Sequence, residues 1–505
     1  MDKTKISSTR SSSPITNIAE EQLLTILLFL PIDSILSFAM TCKRFKSLSL
    51  SDPLWESICR KGWGKFSVDS LKPMLQTKHG VSWINLYRQI HQLDSLSCHR
   101  ILTSNQELPT PRASHSLTFV SNCLVLFGGG SEGGKHLDDT WIAHIDSDIR
   151  VRLKWEKIAT GSPSGRFGHS CIAIKNFLVL FGGINDFGAR QNDVWIGQVS
   201  LSGGVTLSWR LLDVSESSSP PPRGAHAACP TDDGMMMLIH GGIGMSGLRL
   251  DDTWVLDFSK DHHSGVWREL VTCSSPPSRS GHTLTNTGKN QIIMFGGRGG
   301  GYEVLNDVWL LHALSCEGEW HWVELLIDLQ GPQGRVNLPR VGHSANLIVG
   351  RKLLVYGGED SHRHKKNDFW VLDIGSSMLN MNCKRSYISK GWTELRGIGD
   401  KPEPRSFHRA CTDHSGRYLY IVGGMVDCLC QRGGLAGLRF DGGQFLLEIL
   451  LQVPYGNKRM DEKEGASRCG PPRSFIYQMI LQSRAPCLAA NQGRRSRSFK
   501  SSVNT

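Results

Sequence analysis

Short runs of consecutive apolar residues recur along most of this chain, and each run leads into a Gly-Gly pair. The runs lie at 124–127, 178–181, 236–239, 291–295 and 353–356. Continuous apolar runs of this length are typical of strands that are buried on both faces. A glycine after such a run fits a place where the backbone needs a positive φ or where another chain segment comes close. The pattern therefore predicts a strand in each copy of a repeated unit.

An arginine, a histidine and two tryptophans return in the same order around these runs. Successive arginines are 54, 57, 56, 61 and 65 residues apart, at Arg112, Arg166, Arg223, Arg279, Arg340 and Arg405. In five copies the first Gly of the pair precedes the first Trp by 13 residues. The second Trp stands in a Trp-x-x-Leu/Ile pattern that marks a fourth strand, at Trp155, Trp209, Trp267, Trp322 and Trp392. A period of this size with four strands inside it indicates the blades of a propeller.

Residues from about 98 to 450 carry these spacings and resemble kelch repeats. The resemblance implies a mainly β fold, a six-bladed kelch β-propeller, with repeats beginning near 111, 165, 222, 278, 339 and 404. The sixth copy lacks both tryptophans, and Phe445 takes the place of the first one after a longer loop. We expect 98–103 to supply the missing fourth strand and to close the last blade, which removes the free edges. A degraded seventh blade begun by 472–475, which copies 404–407, is the alternative.

A helical pattern precedes the repeats. Apolar residues at helical spacing form one stripe at 23–30 and a second at 35–45, with a break at Pro31. The segment resembles an F-box in Leu30-Pro31, in Ser-Ile-Leu at 34–36, in Cys-Lys-Arg at 42–44 and in Asp-Pro-Leu-Trp at 52–55. We therefore expect a small all-α F-box domain at 17–64 and a helical linker at 65–97.

This helical segment departs from the F-box pattern at two places. Ile18-Ala19 replaces the usual opening Leu-Pro, and Phe45 replaces the usual Trp. Both positions keep an apolar residue. An ordinary helical bundle and a secretory signal are alternatives, but Glu20 and Glu21 flank the apolar run and no small-residue cleavage site follows it.

Cysteines and histidines are numerous, yet their spacing predicts neither a metal site nor a disulfide framework. The 14 cysteines are scattered singly apart from Cys428 and Cys430, which favours reduced thiols in the cytoplasm or nucleus. Six of the 19 histidines belong to the repeats, so we expect them to be structural and hydrogen-bonded between strands. No apolar stretch is long enough to span a membrane, and we expect no membrane partner.

The positive charge is concentrated at the end of the chain. Residues 456–505 hold ten Lys or Arg against three acids, so +7 of the net +11 belongs to this tail. We expect 451–505 and the Ser-rich 1–16 to be disordered. The tail is either a solvated segment or a nuclear-targeting or nucleic-acid-contacting one; a nucleic-acid partner is not expected for the chain as a whole.

An F-box followed by a kelch propeller resembles the substrate receptors of Skp–cullin–F-box ubiquitin ligases, including plant F-box/kelch proteins. The resemblance implies that a Skp-type adaptor, and through it a cullin, binds the helical module while the propeller binds a protein to be ubiquitinated. Such a subunit positions its substrate, so we expect no catalytic residue and no cofactor. A kelch interaction scaffold without a ligase role is the main alternative. A copper oxidase of the galactose-oxidase kind would need converging Tyr and His ligands, which this pattern does not offer.

Two sets of site residues follow from this interpretation. Apolar residues where the helical module turns would be exposed unless a partner covered them. The expected adaptor-binding residues are Leu23, Leu27, Leu30, Pro31, Ile35, Leu36 and Trp55. Loops between second and third strands emerge on one face of a propeller and carry recognition. The expected substrate-binding residues are Phe187, Arg190, Arg298, Tyr302, His362, Arg363 and Lys365. Their basic and aromatic character predicts an acidic or phosphorylated, partly apolar target segment.

Overall fold

The protein forms two compact units, described here from a computed structural model. The structure describes residues 14–75, 81–103, 107–145, 150–158, 163–200, 204–215, 219–232, 234–259, 262–313, 319–327, 337–374, 385–388, 391–428 and 437–451. Within these residues the smaller unit holds 14–64 and most of 72–88, and the larger unit holds 65–71 and 89–451. No helix in them is long and apolar enough to cross a membrane.

Three predictions concern the ends of the chain. A 3-10 helix occupies Pro14–Asn17, and the disorder expected for 1–16 stays a prediction. Residues 1–13 lie outside the described residues. So do 452–505, which include the basic tail and the motif of the alternative seventh blade.

Six helices follow one another at the N-terminal side. They are α1 (Glu20–Leu27), α2 (Ile32–Ala39), α3 (Lys43–Ser49), α4 (Asp52–Trp63), α5 (Lys65–Leu75) and α6 (Trp83–His91). Pro31 precedes the first residue of α2, where its missing N–H costs nothing, and Cys42 caps α3 by accepting from Phe45 N at 3.4 Å. Phe45, in place of the usual Trp, stacks on Phe38 with ring centroids 4.1 Å apart, and so keeps the apolar packing of α2 on α3.

The larger unit contains six blades of a propeller, each with four antiparallel strands. Their strands, from innermost to outermost, are Ser116–Val120, Cys123–Phe127, Thr140–His144 and Trp155–Ile158 in blade one; Ser170–Ile174, Phe177–Asn185, Arg190–Ser200 and Thr206–Leu211 in blade two; Ala227–Pro230, Met236–Ile243, Arg249–Phe258 and Ser264–Glu269 in blade three. The others are Thr283–Asn286, Gln291–Phe295, Val308–Ala313 and Trp320–Ile327 in blade four; Ser344–Ile348, Lys352–Tyr356, Phe369–Asp373 and Thr393–Gly399 in blade five; Arg409–Thr412, Tyr418–Val422, Gln444–Ile449 and Ser95–Arg100 in blade six.

Shorter strands and one 3-10 helix lie beside or between the strands of these blades. Two-residue strands lie at Leu102–Thr103, Arg152–Leu153, Arg166–Phe167, Asp213–Val214, Arg279–Ser280, Arg298–Gly299 and Arg405–Ser406. Four-residue strands lie at Arg385–Ile388, Met425–Cys428 and Gly437–Phe440, and a 3-10 helix lies at Glu132–Gly134. Met425–Cys428 pairs antiparallel with Gly437–Phe440, between the second and third strands of blade six.

The outermost strand of blade six comes from the N-terminal side of the repeats. Ser95–Arg100 pairs antiparallel with Gln444–Ile449, with Cys98 opposite Leu447. It begins three residues before the predicted 98–103, because Ser95–Cys98 also pairs in parallel with Arg396–Gly399 of blade five. Blades five and six thus share one eight-stranded sheet. Ser95–Arg100 lies inside this sheet, so the outermost strands of both blades are paired on each side.

The apolar core lies between blades rather than within one of them. A cluster between blades six and one contains Tyr420, Val422 and Leu446 from one side and Leu124 and Trp155 from the other. Similar clusters lie between the following pairs of blades, from one–two to four–five. Each innermost strand also contacts the next, and the innermost strand of blade six contacts that of blade one, so the ring is closed.

Six backbone hydrogen bonds encircle the axis. The residue before each repeat histidine donates its N–H to the carbonyl of the corresponding residue in the preceding blade, and the last bond runs from Ser114 to Phe407 at 2.8 Å. The members are Ser114, Gly168, Ala225, Gly281, Gly342 and Phe407. All six have φ between 54° and 66°, a left-handed conformation that turns both the N–H and the C=O along the ring.

The repeat arginines hold the loops of each blade. Arg112 is buried and bonds both oxygens of Asp139, at 2.6 and 2.9 Å, and Trp141 Nε1 donates to the same carboxylate at 2.7 Å. Burial alone would raise the pKa of Asp139, but Arg112 and Trp141 lower it overall. Equivalent arginine–aspartate pairs occur in the other five blades, at Arg166–Asp193, Arg223–Asp252, Arg279–Asp307, Arg340–Asp368 and Arg405–Asp441.

Four of the six repeat histidines join neighbouring blades by hydrogen bonds, as predicted from their recurrence. His169 bonds Ser116 Oγ at 3.1 Å, and His226 bonds Ser170 Oγ at 2.8 Å. His343 and His408 bond Thr283 and Ser344 in the same way. Burial lowers the pKa of these four rings, to about 3 for His226 and His343, so the rings are neutral at physiological pH.

Two of the six histidines have no such hydroxyl. His282 faces Ala227, and His115 faces Arg409, at the positions that hold Ser or Thr in the other blades. Neither ring nitrogen of either histidine has a hydrogen-bond partner among the described residues. The blade contacts at these two places therefore lack a bond that the other four have.

We predict that Ala227→Ser stabilises the propeller. The new hydroxyl can bond His282, and one such bond adds about 1 kcal/mol to the free energy of unfolding. Ser170→Ala is the matched control, because it removes the existing bond to His226 and should lower the same quantity by about 1–2 kcal/mol. Urea unfolding measures both variants. A stabilising Ser170→Ala, or a destabilising Ala227→Ser, would contradict the role assigned to these hydroxyls.

Candidate functional site

The loops between the second and third strands of blades two to five form the candidate binding face. Aromatic side chains stand at two of the loop tips. Phe187 of blade two is 94% exposed, and Tyr302 of blade four is 71% exposed. Arg249 of blade three lies over the Tyr302 ring at 4.4 Å from its centroid, so a cation–π contact orients this ring.

Sequence reasoning missed two apolar residues on the same face. Met245 and Leu248, at the tip of the blade-three loop, are 64% and 70% exposed. They stand between the blades that carry Phe187 and Tyr302, so three consecutive blades present apolar tips. The sequence contained the necessary information, since Gly-Met-Ser-Gly-Leu occupies the same place in its repeat as the predicted loops. Exposed apolar groups in neighbouring loops are typical of a protein-binding surface.

The prediction that all of these cations are free to bind a substrate is wrong for two of them. Arg298 bonds Glu359 of the next blade at 3.0 Å, and both side chains are largely buried. The Lys365 side chain is 2% exposed, and its Nζ lies 2.6 Å from Asp427 of blade six. These cations join neighbouring blades because the acids that pair with them project from adjacent loops, more than 60 residues away in the sequence.

The other predicted polar residues of this face differ in exposure. His362 and Arg363 are exposed at the tip of the blade-five loop, where a target could reach them. Arg190 is half-buried and donates from Nη1 to the Gly188 carbonyl at 2.9 Å, so it holds its own loop. The face is therefore apolar over blades two to four and basic at blade five.

One group with metal-ligand spacing occurs among the described residues. Single ligand atoms of Asp360, His362 and His364 lie within 4.8 Å of one another. The Asp360 carboxylate already accepts hydrogen bonds from the backbone N–H groups of His362 and His364, at 2.9 and 3.0 Å. Lys366 lies 2.8 Å from it. Burial would raise the pKa of Asp360, but Lys366 and the backbone bonds lower it to about 2. The carboxylate thus serves to hold the loop.

The predicted adaptor-binding residues fall into two groups. Leu23, Leu27, Ile35, Leu36 and Trp55 are buried, so the exposure expected for Ile35 and Leu36 at the turn is wrong. Their helical stripe packs inside the unit, for example Leu27 on Ile35 and Leu54, and Trp55 Nε1 donates to the Ser49 carbonyl at 2.8 Å. Leu30 and Pro31 are exposed at the turn between α1 and α2.

Exposed apolar residues extend the surface around Leu30. Ile26, Phe29 and Met40 are all exposed, and Phe29 most of all, at 77%. Pro31 was the sequence feature that could have found Phe29 and Leu30, because α1 ends at Leu27 and both residues lie in the turn before this proline rather than on the helix. Lys61 of α4 donates to the Leu28 carbonyl and lies 5.0 Å from the Phe29 ring centroid. We call Ile26, Phe29, Leu30, Pro31 and Met40 the helical patch.

We predict that Arg298→Glu and Arg363→Glu differ sharply in their effect on stability. Arg298→Glu puts two carboxylates together in a partly buried site and should lower the free energy of unfolding by about 2 kcal/mol. Arg363→Glu changes an exposed side chain and should alter it by less than about 0.5 kcal/mol. Adding Glu359→Arg to Arg298→Glu should restore part of the loss. Equal losses for the two single variants in urea unfolding would refute the structural role of Arg298.

Comparison with known families supports the assignment of both the helical part and the propeller part of the chain. The KLHDC2/KLHL20/DRC7 Kelch-repeats domain matches over 77–274 and 261–432, and the F-box-like domain matches over 20–61. An F-box/kelch-repeat protein of Arabidopsis thaliana is 51% identical over 457 residues, which are 88% of this chain and 94% of that protein.

More distant relatives cover most of this chain but only part of their own length. Adagio-like protein 3 of Oryza sativa subsp. japonica is 30% identical over 77% of this chain and 57% of its own length. Adagio protein 3 of Arabidopsis thaliana is 28% identical over 77% of this chain and 58% of its own length. The family-model matches and the extended identity to the first relative agree with the helices and blades described above. The chain belongs to the F-box/kelch-repeat proteins.

Proposed function

We propose that this protein is the substrate-recognition subunit of a Skp–cullin–F-box ubiquitin ligase. The helical patch binds a Skp-type adaptor, and through it a cullin, while the propeller binds the protein to be ubiquitinated. The protein itself is non-catalytic, and it works in the cytoplasm or the nucleus.

The helical patch is the observation that carries the proposal. Four large apolar side chains are exposed in α1 or just after α1 and α2, although these helices otherwise bury their apolar stripe; they are Ile26, Phe29, Leu30 and Met40. Exposed apolar groups concentrated on so small a unit favour a protein partner. They stand in the part of the chain that matches the F-box-like family.

The binding face of the propeller supports the second half of the proposal. Phe187, Met245, Leu248 and Tyr302 offer apolar area, and Arg363 offers positive charge beside it. Aromatic and arginine side chains dominate binding hot spots. A target with a partly apolar, acidic or phosphorylated segment fits this combination. In such a ligase, holding the target raises its effective concentration near the charged ubiquitin-conjugating enzyme.

We predict that Leu30→Ala combined with Pro31→Ala abolishes adaptor binding while the chain stays folded. Both side chains are exposed, and alanine at 31 keeps the carbonyl that accepts from Ser34 and Ile35 in the first turn of α2. A pull-down with a recombinant Skp-type adaptor, together with thermal unfolding, measures the result. Undiminished adaptor binding by the folded double variant would refute docking at this turn, and an absence of binding by the wild type would leave the kelch scaffold as the function.

Phe187→Ala combined with Tyr302→Ala tests the second half of the proposal, namely that the propeller binds the substrate. This variant should weaken capture of the ubiquitinated partner by about tenfold or more, because it removes two exposed aromatic anchors. Quantitative capture after proteasome inhibition measures the loss. The two double variants control each other: this one should keep adaptor binding, and the Leu30–Pro31 variant should keep the substrate. Unchanged capture in the aromatic variant would exclude this face as the substrate site.

A further inference from the structure

Blade six departs from the repeat at the residue that follows the histidine. That position holds a small residue in the other blades, namely Ser116, Ser170, Ala227, Thr283 and Ser344. In blade six it holds Arg409, which begins the innermost strand. A large cation therefore occupies a place where five equivalent blades have at most a hydroxyl.

Arg409 lies at the same end of the ring as the binding face. It pairs with Val422, the last residue of the second strand, directly before the Gly-Gly pair and the loop to the third strand. Its Nε donates to the His115 carbonyl of blade one at 2.7 Å, so the side chain crosses from blade six to blade one. The innermost strands line the central channel of a propeller, and Arg409 stands at the mouth of this channel.

The positive charge of Arg409 acts on repeat histidines in five of the six blades. Burial is the main cause that lowers the pKa of the repeat histidines, and the positive charge of Arg409 adds to it for His115, His169, His226, His343 and His408. These histidines belong to five different blades. A charge that reaches all five lies close to the axis.

No carboxylate among the described residues neutralises this charge. Arg405, four residues earlier, pairs with Asp441 at 2.8 Å, and Arg340 pairs with Asp368. Burial lowers the pKa of Arg409, and no acid in the described part of the chain acts against that effect, whereas Asp368 does so for Arg340. Only the Nε–H bond to His115 is formed with a described group, which leaves the two terminal nitrogens of the guanidinium for a ligand.

Most residues of the axial ring have small side chains, which favours access of a ligand to Arg409. Of the six residues in the axial ring, five are Gly, Ala or Ser, and only Phe407 has a large side chain. The backbone N–H and C=O groups of this ring bond one another, so they do not compete for Arg409. The Phe407 ring lies against Gly342, where a Cβ would come within 2.9 Å of it.

We propose that Arg409 is an anion-binding site at the mouth of the channel, and that it takes a carboxylate or phosphate group carried by the bound protein segment. A guanidinium fork matches the paired oxygens of either group, and its position at the centre of the loops lets one segment reach both Arg409 and the apolar tips. This assignment rests on the proposed substrate role of the propeller, but anion binding is measured without adaptor or ligase, so the two can fail separately.

The test compares the full-length protein with Arg409→Ser, which installs the residue found in blades one, two and five. This variant removes the unpaired charge and gives His115 the hydroxyl that other histidines have, so its melting temperature should equal or exceed that of the wild type. Arg409→Gln keeps a hydrogen-bond donor but removes the charge, and it replaces Arg409→Ser in the test if that variant fails to fold. Arg268→Ser is the matched control, because Arg268 is an exposed cation on the outermost strand of blade three.

Inorganic phosphate and acetate, each added at constant ionic strength, are the first probes. A saturable rise in melting temperature is expected for the wild type and for Arg268→Ser, and at least a tenfold weaker apparent affinity for Arg409→Ser. Equal responses in all three proteins, or no response in the wild type, would overturn the site.

Two glycine-rich peptides, one with a single phosphoserine and one with a glutamate, then identify the source of the anion. Displacement of phosphate by either peptide in the wild type supports a protein-borne group. If neither displaces it, the site takes a free anion, and the assignment to a bound segment is wrong.

Discussion

A closed ring of six backbone hydrogen bonds at the axis is the constraint on which the rest of this propeller depends. Each bond joins one blade to the next, so a blade that shifts breaks two of them. The ring requires a left-handed backbone at every member, and three of the six, Ser114, Ala225 and Phe407, are not glycine. Such a conformation costs about 1–2 kcal/mol for a residue with a side chain. The repeat arginines, the histidines and the apolar clusters between blades hold the strands in the places that this ring needs.

Repetition made most of the fold predictable. Any residue that returns with the same spacing must occupy the same place in each blade, which gave the strands, the structural histidines and the strand supplied from the N-terminal side. The strand begins three residues before its predicted start, because a parallel pairing with blade five lengthens it. The aspartate partners of the arginines also recur, two residues before the Trp in five blades, but a period shows only that positions are equivalent. It does not show that Arg112 and Asp139 meet.

Charged loop residues were the part that periodicity could not resolve. Arg298, Lys365 and Arg363 look alike in the sequence, since each is a cation in a loop of the same class. Arg298 and Lys365 are neutralised by acids from neighbouring blades, and Arg363 is exposed. The same difficulty affected the helical unit, where one apolar stripe was interpreted as a surface although most of it is core. Exposure depends on which elements pack together, and the local pattern contains only half of that information.

A repeated ring separates the residues that serve the fold from those that serve the function. The rule of the repeat is strict where the ring is built: a small residue follows the histidine, and an acid pairs with each buried arginine. Blade six breaks this rule at Arg409, lacks both tryptophans and has an added strand pair, Met425–Cys428 with Gly437–Phe440. Sites where local consistency fails, while the global fold persists, are where a functional demand is expected. Closure by Ser95–Arg100 keeps the fourth strand of this blade, so blade six can depart from the repeat without opening the ring.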